Sequence, residues 1–163
     1  MKKVVFGIVC LLAVFVLFSC QTVSPRIEGE VTQDKVNEVL GQIYDIYRPK
    51  LSMENSQSYT VVAGDTLSQI TRRFYGNQTN VGEAGAQNGF YFPVIMMASD
   101  SHIVDPDFIE PGMVLTIPDL RINLNNPTAR KAIKDALLDV AHVYERKDRK
   151  AEEEGLVRLS NSL

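Results

Sequence analysis

The sequence predicts an α+β fold, a small strand-helix-helix-strand (βααβ) unit flanked by an N-terminal and a C-terminal amphipathic helix. Three observations carry this. Two short runs of strand-forming residues, Ser58 to Val62 and Met113 to Ile117, each border turn-forming residues. Between them, apolar residues recur at helical rather than alternating spacing. Outside them, Val36, Val39, Leu40, Ile43, Ile46 and Tyr47 form one stripe of threes and fours, and Ile133, Ala136, Leu137, Val140 and Tyr144 form another.

The first nineteen residues stand apart. Met1-Lys2-Lys3 gives a positive start, and Val4 to Phe18 carries no charge. That run falls short of the roughly 20 apolar residues needed to span about 30 Å of hydrocarbon, so 1–19 reads as a cleaved export leader. The alternative, an uncleaved short membrane helix, leaves the rest of the chain on the same side, outside the cytoplasm. Residues 20–31, with Pro25 and Gly29, show no apolar period and are expected to be a flexible tether. The first amphipathic helix is expected over 32–48, ending before Pro49, and Lys50 to Ser58 is a polar linker.

Within the central unit, 58–119, Ala63-Gly64-Asp65 breaks the first strand, and Thr66 with Gln69 stands at capping-box spacing. Leu67, Ile70 and Phe74 then share a face, Arg72 and Arg73 face water, and Gly76 is placed to end the helix in a left-handed conformation. A second helix opens at Tyr91-Phe92-Pro93, offers Ile95, Met96 and Ala98 to the core, and stops near Ser99. Turns at Asp105-Pro106-Asp107 and Glu110-Pro111-Gly112 lead to the second strand, closed by Pro118. Asn126-Pro127 opens the C-terminal helix, expected over 126–155, and 156–163 is expected to fray.

Charge narrows the function classes. Losing Lys2 and Lys3 with the leader reduces 17 basic residues to 15 against 20 acidic ones, a net charge of −5. The basic residues do not cluster. In Glu145-Arg146-Lys147-Asp148-Arg149-Lys150 they alternate with acids, as on a solvated helix face, and no nucleic-acid partner is expected. Both cysteines, Cys10 and Cys20, belong to the leader or its boundary, which excludes an internal disulfide or a cysteine-based zinc site from the mature chain. His102 and His142 lack the short spacing of a zinc motif. Asp100, Asp105, Asp107 and Glu110 suit turns, and Ser101-His102 comes without an oxyanion motif. No catalytic residue, metal ligand or cofactor is assigned.

Leu17-Phe18-Ser19-Cys20 resembles the lipobox of bacterial lipoproteins. The resemblance implies lipidation of Cys20, cleavage before it, and anchorage of a periplasm-facing chain in the cell envelope through acyl chains worth about 0.8 kcal/mol per buried methylene. Gln21 is not the aspartate that marks inner-membrane retention in some bacteria, which favours the outer membrane over the inner one.

The segments YTVVAGDTLSQITRRFYG, YFPVIMMAS and DPDFIEPGMVLTIP together resemble the LysM domain. This resemblance implies two antiparallel strands beneath two helices and binding of N-acetylated glycan, in bacteria peptidoglycan, in a shallow groove between the loop opening the first helix and the loop leaving the second. Carried onto this chain, one wall is Gly64, Asp65, Thr66 and Leu67, and the other is Ile103, Asp105, Pro106, Asp107, Phe108 and Ile109. The implied function is a non-catalytic tether between membrane and peptidoglycan. Ser99, standing where the family has asparagine, and the long segment Asn77 to Phe90 keep an alternative open. In it, a degenerate LysM domain serves a periplasmic protein-interaction or hydrolase-accessory lipoprotein whose flanking helices hold a protein partner.

Overall fold

The computed structural model describes residues 24–76, 87–99 and 104–163; the leader, Cys20, Ile103 and most of the 77–90 insert lie outside the described residues. At the centre, β1 (Gln57–Thr60) pairs antiparallel with β2 (Val114–Ile117), with Gln57 opposite Ile117 and Thr60 opposite Val114. Two backbone bonds beyond the strands, Val61 N–H to Met113 O at 2.8 Å and Gly112 N–H to Val61 O at 2.9 Å, hold the loops after β1 and before β2 together. Leu115 and Ile117 of β2 point into the core, as alternation along a half-buried strand requires.

Helix α2 (Leu67–Tyr75) starts at a complete capping box: the Thr66 hydroxyl accepts from the Gln69 amide, and the Gln69 side chain accepts from the Thr66 amide. One expectation for this helix needs correction: Gly76 ends it at φ −54°, an ordinary right-handed conformation. Phe74 packs half-buried against the core that holds Leu67 and Ile70, edge-on against Tyr59 at 5.5 Å, and Tyr75 is fully buried beside it in sequence. Helix α3 (Phe92–Ala98) has Pro93 in its first turn and is buried on nearly every side. Its last turn is tied to the sheet by Ser99, whose hydroxyl donates to Ile95 O at 2.7 Å and accepts from the Thr116 amide at 3.0 Å.

Helix α1 (Gln33–Tyr47) is capped by Thr32 and buries Val36, Val39, Leu40, Ile43, Tyr44 and Tyr47. It packs on α5 (Pro127–Arg146), whose first turn is capped by Asn126, and both also touch α3. The flanking helices therefore bury their stripes on each other and on the βααβ unit. Between β2 and α5, Asp119 caps a short helix the sequence reading did not include, α4 (Leu120–Asn125).

The C-terminal helix expected as one piece over 126–155 is two. Helix α5 stops at Arg146 and α6 (Lys150–Asn161) turns back along it. The break is a Schellman motif: Arg149 N–H donates to Tyr144 O, Asp148 N–H donates to Glu145 O, and Asp148 takes φ +57°. Residues 156–163, expected to fray, are helical to Asn161 because Leu156 and Leu159 are buried and the Ser160 hydroxyl donates to Lys134 O. Gly155 lies inside α6 with no turn to make. Its missing side chain accommodates Phe90, whose ring an added Cβ would overlap.

The described part of the 20–31 segment is docked rather than free. Ile27 enters the core, Arg26 pairs with Asp139 at 3.5 Å, and Arg146 donates to Gly29 O.

Candidate functional site

The loop leaving β1 is shaped from within. Gly64 takes φ +88°, a conformation that favours glycine, and the turn brings Asp65 back onto its own strand. There its carboxylate accepts from the Tyr59 hydroxyl at 2.6 Å and from the Val62 amide at 3.0 Å, with Arg73 3.8 Å away. The Tyr59 hydrogen bond, then the Val62 amide, hold the Asp65 carboxyl below its ordinary value, and the same carboxylate raises Tyr59. The first amides of a helix lack intrahelical partners, and those of Leu67 and Ser68 have none among the described residues.

The facing loop carries a single turn of 3-10 helix, Pro106–Phe108, capped by the Asp105 carboxylate on the Asp107 amide at 3.0 Å. Asp105 is 1% exposed. A buried carboxylate needs partners, and it takes them from both flanking helices. Lys147 Nζ reaches its two oxygens at 3.0 and 2.9 Å, and Gln33 Nε2 donates at 2.9 Å. Asp107 is gripped in turn by Lys147 at 2.6 Å, Arg149 at 3.2 Å and the Tyr144 hydroxyl at 3.1 Å. Burial pushes the Tyr144 and Tyr44 hydroxyls up, reinforced by these two carboxylates; the Tyr44 oxygen is buried without a hydrogen-bond partner among the described residues.

The two loops meet across a cavity of about 430 Å³, within the roughly 300–1,000 Å³ usual for small-molecule sites. Asp65, Thr66 and Leu67 line it on one side and Pro106, Asp107 and Ile109 on the other. Of the remaining candidates, Gly64 shapes the turn without lining the cavity, Asp105 is buried and does not line it, and Phe108 is exposed and does not line it either. Ile103 lies outside the described residues, as do Ser101 and His102. Ser99 does not line the cavity.

Five lining residues escaped the sequence reading: Ser68, Phe92, Tyr144, Arg149 and Glu152. Ser68 directly follows an assigned residue and was within reach. Tyr144 belongs to the apolar stripe of α5, and Phe92 packs edge-on against its ring at 5.8 Å. Arg149 comes from the charge run read as a solvated face. Every residue of that run but Lys147 is exposed, as expected, yet Lys147 and Arg149 also bind Asp107 of the facing loop, 40 and 42 residues distant in sequence.

Among the described residues, no group of three or more histidines, cysteines or acids is placed to hold a metal ion. The βααβ architecture and the two-loop cavity define a small α+β binding module. The family described as LysM domain matches residues 59–118, and this stretch of the chain is a LysM domain, a carbohydrate-binding module. Similar proteins include an esterase of Mycobacterium tuberculosis, found in strains CDC 1551 / Oshkosh and H37Rv, 39% identical over 70 residues that make up 43% of this chain and 12% of the esterase. Another is the potassium binding protein Kbp of Escherichia coli O6:H1, 39% identical over 64 residues, 39% of this chain and 36% of that protein. The chain thus spans about an eighth of the esterases and about a third of Kbp. No solved structure matches.

Proposed function

We propose that this protein is a non-catalytic envelope lipoprotein, held in a membrane, the outer one by preference, through lipid on Cys20 and bound to peptidoglycan through its LysM domain. The cavity carries the reading. It pairs the amides of Leu67 and Ser68, unpartnered among the described residues, with the apolar surfaces of Leu67, Phe92, Pro106 and Ile109. An acetamido sugar offers the matching carbonyl, methyl and ring faces. One shallow cavity binds weakly, but lipid at one end confines it beside a polymer that repeats its epitope, and effective concentration supplies residence. The flanking helices support this reading over a protein-recruiting one, because their apolar faces already cover each other and the LysM domain. The esterase name brings no reaction to this chain, since so small a part of that protein is matched.

The test is sedimentation of lipid-free protein beginning at Gln21 with intact sacculi. Wild type is expected in the pellet. Ser68→Trp, which plugs the cavity while sparing the Thr66 cap, is expected in the supernatant. Wild type remaining in the supernatant defeats the proposal.

A further inference from the structure

We propose that the α5–α6 corner is a third wall of the glycan site and sets its specificity: Arg149 donates to a neutral acceptor on the sugar, and the surrounding acids turn away anionic glycan. This rests on the glycan-binding reading of the cavity. The corner lies outside the LysM match at 59–118, so it adds something the matched domain lacks.

The hydrogen-bonding inventory singles out Arg149. Both Asp107 oxygens are occupied, by Tyr144 on one and by Lys147 and Arg149 on the other. Asp65 takes Tyr59 and Val62 on one oxygen, with Arg73 3.8 Å from the other, and Glu152 receives Arg149 on one oxygen, so Arg149 is the charged donor at the cavity. Arg149 spends one N–H of Nη1 on Asp107 and one of Nη2 on Glu152. A guanidinium has five, so three remain without a partner among the described residues, on a side chain that is 45% exposed at the cavity. The two pairs also hold its plane fixed, which lowers the entropy lost when it meets a ligand.

Charge decides what those donors accept. Around the corner Asp105, Asp107 and Glu152 face Lys147 and Arg149, three acids against two bases. An incoming carboxylate meets a cluster that already carries an excess negative charge, whereas an acetamido carbonyl or a hydroxyl takes the free N–H groups without that penalty. The ligand class is therefore uncharged N-acetylated sugar, in preference to the same glycan carrying free carboxylates.

The experiment measures affinity by calorimetry for two probes, a neutral oligomer of N-acetylglucosamine and an oligosaccharide of equal length in which alternate units bear a lactyl carboxylate. The chain beginning at Gln21 is used, and thermal unfolding of each variant establishes that it is folded. Wild type is expected to prefer the neutral probe. Arg149→Ala is expected to weaken neutral-probe binding about tenfold, the size of one lost hydrogen bond to a charged donor. Arg149→Lys, which keeps the charge but not the planar donors, falls between. Glu152→Gln is expected to narrow the preference by improving affinity for the anionic probe. A folded Arg149→Ala that binds the neutral oligomer like wild type overturns the inference and leaves the glycan reading intact, as does a wild type that prefers the anionic probe. Wild type binding neither probe nor sacculi overturns both.

Discussion

Replacing Lys147 by methionine removes the cation from a buried carboxylate while preserving most of the side chain's apolar contact. The Asp105 side chain is 1% exposed and that of Lys147 13%, so this pair is not a surface salt bridge of the kind worth less than about 1 kcal/mol. Removing one partner of a buried pair commonly costs about 3–5 kcal/mol. Two features of the structure place this case at the lower end. The carboxylate keeps two partners, Gln33 Nε2 and the Asp107 amide. The expected loss is about 3 kcal/mol, or roughly 6–12 °C in Tm for a chain of this size. Urea unfolding followed by circular dichroism measures it. Adding Asp105→Asn removes the stranded charge, so the double variant is expected to recover at least half of the loss. A cost below about 1 kcal/mol, or a double variant whose losses simply add, refutes the argument that the facing loop is held by a buried charge.

Two further outcomes follow from local geometry. Gly155→Ala drives a methyl into the Phe90 ring and is expected to cost about 1–3 kcal/mol by overpacking, although Ala ordinarily improves on Gly inside a helix by about 1 kcal/mol; in a Phe90→Ala background the sign should reverse, and unfolding curves of the four proteins decide it. Asp65, held below its ordinary 3.8 chiefly by the Tyr59 hydroxyl, contributes stability that is present above its ordinary value and is lost as pH falls through its folded value, so Asp65→Asn is expected to flatten the decline of Tm on acidification below about pH 4.

The LysM domain was legible because its boundaries are written in local chemistry. Thr66 with Gln69, Pro93 and Pro118 each act on the chain within a few residues, and the elements stand beside them. The α5–α6 corner was not legible. A helix break is normally announced by glycine or proline, but here Asp148 takes the left-handed position, and the nearest glycine, Gly155, serves Phe90 instead. The pairing of Lys147 and Arg149 was not legible for a related reason. A charge alternating along a helix looks solvated until its partner is placed, and the partners, Asp105 and Asp107, belong to a loop distant in sequence. The 20–31 segment was read as a tether because one apolar residue, Ile27, makes no period, yet one buried side chain and two polar contacts suffice to dock a short strand of backbone.

The site crosses the boundary of the matched domain, and this bears on what the flanking helices do. Cut at Pro118, the LysM domain would lose Lys147 from Asp105, the Tyr144 hydroxyl from Asp107 and the aromatic contact over Phe92. Each of these acts on the loop after α3 or on the wall beneath it, and none acts on the Gly64 turn, which is closed by Tyr59 and Val62 within the domain. One wall of the cavity is thus set by local sequence and the other by tertiary contacts with α1, α5 and α6. Helices added to a binding module can serve as spacers, as docking faces for another protein, or as part of the site. Buried stripes argue against the first two, and the Lys147–Arg149 grip on Asp105 and Asp107 argues for the third.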